Sequence, residues 1–298
     1  MKKLLLILAM VGVLTVACTP GGGLDDGNNG NTTEQPDDSN NGNNGNSGES
    51  IPNNEIWYTT ENNNIVELSR YMQKGGDYQV LTDIELFGAN IVSHTYENGK
   101  GIIKCDGDIT IITEAFCECT TLTNVIIPNS VISIGFEAFG ICTSLTNITI
   151  PNSVIEIGDY AFGSCESLTS VTIPDSVTLI GEDAFGCCTS LKEVRIGNSV
   201  RIIDGEAFFL CTSLTSVIIP SSVTSIGDYA FGDCTSLKEV YCKSTTPPAA
   251  GNHILHYRSN DIYESITCKI YVLRNSVDAY KSASGWSDYA DYIEGYDF

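Results

Sequence analysis

Leu145-Thr146-Asn147-Ile148-Thr149-Ile150-Pro151-Asn152-Ser153-Val154-Ile155-Glu156-Ile157-Gly158-Asp159-Tyr160-Ala161-Phe162-Gly163-Ser164-Cys165 holds one structural unit from end to end. Alternation from Leu145 to Ile150 predicts a short strand, with Ile148 and Ile150 pointing inward and Asn147 and Thr149 outward. Pro151-Asn152-Ser153 ends it, because Pro lacks the donor a ladder needs and Asn and Ser favour turns. Val154 and Ile157 return to the core and Gly158 allows a tight bend. Asp159 stands where a short helical turn would begin, Ala161-Phe162 pack inward, and Cys165 closes the coil.

The unit recurs on both sides. Phe116, Phe139, Phe162, Phe185, Phe208 and Phe231 are each 23 residues apart. Cys119, Cys142, Cys165, Cys188, Cys211 and Cys234 keep the same register, as do Leu122, Leu145, Leu168, Leu191, Leu214 and Leu237. A fixed period in the twenties with Leu-x-x-Val-x-Ile marks a leucine-rich-repeat solenoid, in which each turn buries its apolar face only against neighbouring turns. The expected fold has a parallel β-sheet on one face of the 23-residue repeats, short helical turns on the other, and β-rich caps at both ends. Six stacked strands give a sheet about 25–30 Å long.

The unit Ile-Pro-Asn-Ser-Val-x-x-Ile-Gly-x-x-Ala-Phe-x-x-Cys-Thr-Ser-Leu-Thr resembles the BspA-like leucine-rich repeats of surface lipoproteins from Bacteroides-type bacteria, over about Ile109 to Cys242. The flanks are similar to that family too, at Glu55–Thr60, Phe87–Val92, Lys269–Val272 and Gly295–Phe298. The resemblance implies a non-enzymatic cell-surface protein that adheres to host or bacterial partners.

The start of the chain reads as an export signal. Met1-Lys2-Lys3 is a short positive end, and Leu4–Ala17 is an apolar run too short to span a bilayer comfortably. Leu14-Thr15-Val16-Ala17-Cys18 resembles a bacterial lipobox, with Thr15 where Leu is usual, which implies lipidation of Cys18. Residues 18–52 are mostly Gly, Asn, Asp, Ser and Thr, a composition that cannot offset the entropy of ordering. The expected organisation is therefore a signal peptide at 1–17, a lipidated tether at 18–52, an N-terminal β-rich cap at 53–108, the solenoid at 109–243 and a C-terminal cap at 244–298. The expected place is the cell envelope: lipid-anchored, on the outer membrane and exposed at the surface.

The caps should cover the open strand edges of the solenoid. Ile56–Thr60, Ile65–Leu68 and Asn90–Tyr96 read as strands, with Asn98-Gly99 a hairpin turn. Lys269–Val272 reads as a last strand and Ser276–Ser284 as a short helix before Gly285. Trp57 and Trp286 are expected as core plugs. Of 12 cysteines, Cys18 belongs to the anchor, and the other 11 are expected as free buried thiols. Cys117 and Cys187, at variable positions, should be the most reachable.

Charge and motifs exclude much chemistry. Lys plus Arg is 15 against 37 Asp plus Glu, a net charge of −22. Such a chain without a basic cluster repels nucleic acid and anionic membrane, so the membrane is expected as a partner only through the lipid anchor. No Gly-x-Ser-x-Gly elbow or phosphate-cradling Gly loop occurs. His253 and His256 sit three apart, but zinc wants three or four convergent ligands, so no metal, cofactor or catalytic residue is expected. Glu137, Asp159, Glu182, Asp183, Glu206 and Asp228 recur just before Ala-Phe, where carboxylates would cap the helical turns.

Recognition is expected on the outward side of the first strand. Most of that face is Thr, Ser and Asn, but Lys192, Glu193 and Arg195 gather in one repeat, Lys238, Glu239 and Tyr241 two repeats on, and Ile218 lies between them. These seven are the candidate contacts for a protein partner, either a host extracellular-matrix protein or a bacterial surface protein. A glycan-binding module of a polysaccharide-capture system is the alternative, ranked lower because only Tyr241 presents a ring in its column.

Overall fold

The computed structural model describes residues 51–298 apart from 70, 75, 76, 260, 261, 266 and 267. The expected signal peptide, Cys18 and the tether as far as residue 50 lie outside the described residues.

The chain enters through β1 (Glu55–Thr60), followed by the hairpin β2 (Tyr71–Lys74) and β3 (Asp77–Val80) and the short helix α1 (Asp83–Phe87). Thr82 caps α1 with a full capping box through Glu85. Strands β4 (Ile91–Glu97) and β5 (Lys100–Cys105) form the expected hairpin, with Asn98 (φ 52°) and Gly99 (φ 80°) both left-handed at its turn. Ile65–Leu68 forms no strand, a correction to the sequence reading: the second strand starts at Tyr71 instead.

Each coil then contributes two strands, one to each of two parallel stacks. The first stack holds β7 (Leu122–Ile126), β9 (Asn147–Thr149), β11 (Ser170–Thr172), β13 (Glu193–Arg195), β15 (Ser216–Ile219) and β17 (Glu239–Cys242). The second is one seven-stranded sheet of two-residue strands: β6 (Ile111–Ile112), β8 (Ser133–Ile134), β10 (Glu156–Ile157), β12 (Leu179–Ile180), β14 (Ile202–Ile203), β16 (Ser225–Ile226) and β18 (Ala249–Ala250). Glu156 faces Ser133 on one side and Leu179 on the other, so the register advances by one whole repeat per step. At the amino end β1 pairs antiparallel with both β5 and β7, which closes that edge.

The interior follows from the period. The six repeat Phe rings stack at 5.1–5.4 Å between centroids with planes within 10° of parallel. All are fully buried, and each ring packs on the next at slightly more than the spacing of about 4.8 Å between strands. Beside them runs the cysteine ladder. The thiol of Cys142 donates to the carbonyl of Phe116 at 3.1 Å, and Cys165, Cys188, Cys211 and Cys234 repeat the contact one coil on, at 3.1–3.3 Å. Cysteine recurs here because it fills the space of a small apolar group while giving a buried carbonyl a weak donor. All 11 described cysteines are free, as expected.

The expected helical turns are absent. Each coil instead turns through two left-handed residues, for example Glu137 (φ 47°) and Ile141 (φ 59°), then Tyr160 (56°) and Ser164 (58°), then Asp183 (51°) and Cys187 (58°). Two left-handed residues within five break any right-handed helix. Their amides point along the stack and donate to the next coil: Glu137 to Asp159 at 3.0 Å, Ile141 to Gly163 at 2.7 Å, Asp183 to Gly205 at 3.0 Å. The recurrent carboxylates therefore do not cap helices. Glu137, Asp183 and Glu206 are left-handed turn residues, while Asp159 and Asp228 accept the amides of Glu182 (2.9 Å) and Asn252 (2.6 Å) in the next coil. Gly197 stands where the coils on either side have Pro174 and Pro220, and a Cβ there would meet the carbonyl oxygen of Pro174 at 2.2 Å.

Beyond β17 the chain makes the hairpin β19 (His256–Ser259) and β20 (Ile262–Ser265), then returns to the first stack. β21 (Lys269–Leu273) pairs parallel with β17, and β22 (Ile293–Tyr296) pairs parallel with β21. Between them lie α2 (Val277–Ser282) and two short 3-10 turns. Trp286 is fully buried and donates to the Pro248 carbonyl at 2.8 Å, so it is the expected plug. Trp57 is not: it is half-buried on the outside of β1, under the ammonium of Lys100 at 3.5 Å from the ring.

Candidate functional site

Of the candidate contacts, Glu193, Arg195, Ile218, Glu239 and Tyr241 alternate outward on β13, β15 and β17, and Lys192 and Lys238 stand one residue ahead of β13 and β17. Lys192, Glu193, Arg195 and Lys238 are exposed, while Glu239 and Ile218 are half-buried. Ile218 lies directly opposite Tyr241 in the ladder of β15 and β17.

Tyr241 departs from expectation. It is only 7% exposed, because β21 and β22 extend the same sheet and set further aromatic side chains against it. Tyr271 is its ladder partner and stacks on it at 4.9 Å and 21°. Tyr296 meets both rings edge-on or tilted at 5.3–5.4 Å, and Phe298 packs on Tyr241 and Tyr296 at 6.3 and 5.1 Å. The Tyr241 hydroxyl donates to Glu239 at 3.1 Å, and burial, reinforced by that carboxylate, pushes its pKa up. A buried phenol bonded to its own neighbour supports the cluster rather than offering itself to a ligand.

What a partner meets is the rest of the cluster. Tyr271 and Tyr296 are half-buried and Phe298 is 43% exposed. Lys269 pairs with Glu294 at 3.1 Å, and Arg274 with Asp297 at 2.7 Å, both well in solvent. The signal for these residues was present in Lys269–Val272, which reads as a strand with Tyr271 outward. The 26 residues between Cys242 and Lys269 broke the 23-residue register that located the other outward positions.

Other candidates organise no chemistry. The rings of His253 and His256 meet edge-on at 4.6 Å, and His256 Nδ1 lies 2.7 Å from the Tyr289 hydroxyl. Burial first, and His253 second, hold the His256 pKa below its ordinary value. Among the described residues no group of three or more His, Cys, Asp or Glu is placed to hold a metal ion. No helix among them is long and apolar enough to cross a membrane. Cys117 is half-buried, but its thiol donates to Glu137 at 3.3 Å, and burial followed by Glu137 drives its pKa strongly upward. Cys117 and Cys187 are the two half-buried cysteines among the described residues, as expected for the most reachable, but at Cys117 the burial and the Glu137 carboxylate disfavour the thiolate.

Comparison with known proteins agrees with the repeat. The BspA type leucine rich repeat region matches residues 109–245 in six copies. Among solved structures, a leucine rich repeat protein of T. pallidum is 35% identical, with 51% of this chain and 72% of that one aligned and a TM-score of 0.48. A leucine rich cell surface protein of Faecalibacterium prausnitzii A2-165 is 24% identical over 71% of this chain and 72% of its own (TM-score 0.40). A leucine-rich repeat protein of Bacteroides ovatus ATCC 8483 is 21% identical over 70% of each (TM-score 0.35). No curated protein matches. With six copies of the motif and ladders of Phe and Cys at the 23-residue step, residues 109–245 of this chain are a BspA-type leucine-rich-repeat region.

Proposed function

We propose that the protein is a non-enzymatic recognition module of the bacterial cell surface, binding a host or bacterial surface protein through the outward face of the first stack between Lys192 and Phe298. Leucine-rich-repeat proteins are typically binding modules of this kind. One observation carries the reading: apart from Ile126, Thr, Ser and Asn fill the face in the early coils, whereas the carboxyl-terminal third gathers Arg195, Ile218, Tyr271, Tyr296 and Phe298 in one region. Tyr and Arg are the residue types that dominate binding energy at interfaces. Lipidation of Cys18 would hold this body at the envelope. A Cys18→Ser variant that stayed in the membrane fraction would remove that part of the proposal.

The cluster of Tyr271, Tyr296 and Phe298 also strengthens the second reading, a glycan-binding module, since the face carries more ring surface than Tyr241 alone. A panel of host matrix and bacterial surface proteins run beside a glycan array separates the two. Truncating Arg195 and Tyr271 to Ala should weaken binding of the protein ligand at least tenfold without changing the fold. If that pair binds like the parent while Thr149→Ala with Thr172→Ala does not, recognition lies elsewhere on the face.

A further inference from the structure

The second sheet has an outward face of its own. Ile132 is 48% exposed, Ile155 53% and Ile202 40%, with Leu179 half-buried between the last two. They fall on four successive coils. The Ile155 amide donates to Ile132 at 2.9 Å, and Leu179 and Ile202 are paired in register between β12 and β14. At the strand spacing the stripe runs about 14 Å. Phe136, 40% exposed and edge-on to Tyr160 at 5.8 Å, widens its amino-terminal end. Ile132 and Ile155 stand in one column, just ahead of β8 and β10, and Leu179 and Ile202 in the column beside it on β12 and β14, so the apolar side chains step diagonally across the face. Single exposed apolar residues are ordinary on a surface, but four on successive coils make a patch that a partner can cover.

The border of the stripe is acidic. Glu156 lies within it, and Asp159, Glu182 and Asp204 stand exposed beside it. Glu182 is crowded: burial, then Asp159, then Asp204, raise its pKa. Arg201 is the one base within the stripe's columns. A second copy of this chain would bring like charge to like charge. Residues 19–52 contain six acids and no Lys or Arg, so they do not complement the face either. An anionic lipid surface is repelled.

We propose that this second-sheet face docks a cationic amphipathic segment of a partner, its apolar side on the Ile132–Ile202 stripe and its Lys and Arg side chains toward Glu156, Asp159, Glu182 and Asp204. A stripe of about 14 Å accepts roughly ten residues of a helix at 1.5 Å each. Helix-in-groove and basic-on-acidic recognition both rest on such a pairing of apolar anchors with a charged rim. The face is separate from the first stack, so this proposal stands or falls independently of the reading above.

The test uses an 18-residue Leu/Lys amphipathic helical peptide, a scrambled peptide of the same composition, and an oligolysine of equal charge, titrated against the protein at two salt concentrations. The amphipathic peptide should bind best. Ile132→Ser with Ile155→Ser should weaken it about tenfold or more, and Glu156→Gln with Glu182→Gln should weaken it several-fold and flatten its salt dependence. Arg195→Ala should leave it unchanged. Circular dichroism confirms that the variants fold. Equal binding of the scrambled peptide or the oligolysine, or parent-like binding by the isoleucine pair, overturns the proposal.

Discussion

The two stacks of the solenoid are made by the same chain at the same step of one repeat, yet they present opposite surfaces. In residues 109–243 there are five bases and 15 acids. The outward face of the first stack takes three of the bases (Lys192, Arg195, Lys238) and only two of the acids (Glu193, Glu239). The remaining 13 acids and two bases lie elsewhere on the coils. Inside, nothing differs: Phe stacks on Phe and Cys reaches the carbonyl of the coil before, coil after coil. A repeat protein spends its sequence constancy on the interior, and each outer column is then free to diverge.

The largest expected effect comes from breaking what the two faces share. Phe162→Ala removes a fully buried ring stacked on both neighbours at 5.1–5.3 Å, and should cost about 3–5 kcal/mol in urea unfolding. A cost below about 1 kcal/mol would mean the interior does not set the stability of the coils.

Next in size is a pH effect confined to the turn side. Burial, then Glu137, pushes Glu114 up to about 7, and its Oε1 has no hydrogen-bond partner. Burial, then Glu206 and Glu182, pushes Asp183 to about 8. Both carboxyls have folded pKa values above their unfolded ones, so their contribution is full below about pH 4 and is lost as pH rises through 7 to 8. These groups should make the protein more stable at pH 5 than at pH 8. Glu114→Gln should recover on the order of 1–3 kcal/mol at pH 8 and little at pH 4. Equal effects at both pH values would show that Glu114 is ionised in the fold without penalty.

Smaller again is a difference in thiol reactivity. Unfolded protein without reductant or lipid should titrate most of the 11 thiols beyond Cys18. Native protein at pH 8 should react first at half-buried Cys187, while Cys165, held up to about 12 by burial, stays silent. Disulfide mapping that finds four or five bridges would contradict the ladder. The smallest effect belongs to the first face: Arg195→Ala, or Thr149→Ala with Thr172→Ala, should change unfolding by less than about 0.5 kcal/mol.

The sequence made the interior legible because strict periodicity carries it. Ile148 and Ile150 were read inward, and they are 6% and 5% exposed. The second sheet was not read, since strands such as Glu156–Ile157 are too short to show alternation. The helical turns failed for a different reason. Glu137, Tyr160 and Asp183 sit at positive φ without the Gly or Asn that normally announces it, held there by amides bonded to the next coil. Of the candidate contacts, Glu193 and Arg195 stand where alternation put them. Tyr241 does not offer an open ring, because its cover comes from Tyr271 and Tyr296, outside the repeat and beyond an inserted hairpin.

The placing of β1 has a mechanical consequence. The chain enters the fold through a strand that lies between β5 and β7, not at an edge, with Glu55 bonded to Lys104 at 3.4 Å and Trp57 under Lys100. A load applied at Glu55 and directed along β1 acts on the hydrogen bonds of both ladders together, in shear. An edge strand pulled crosswise would instead peel one bond at a time. The described body is thus built to bear tension applied at Glu55, and such a load should reach the coils only after that double ladder slips.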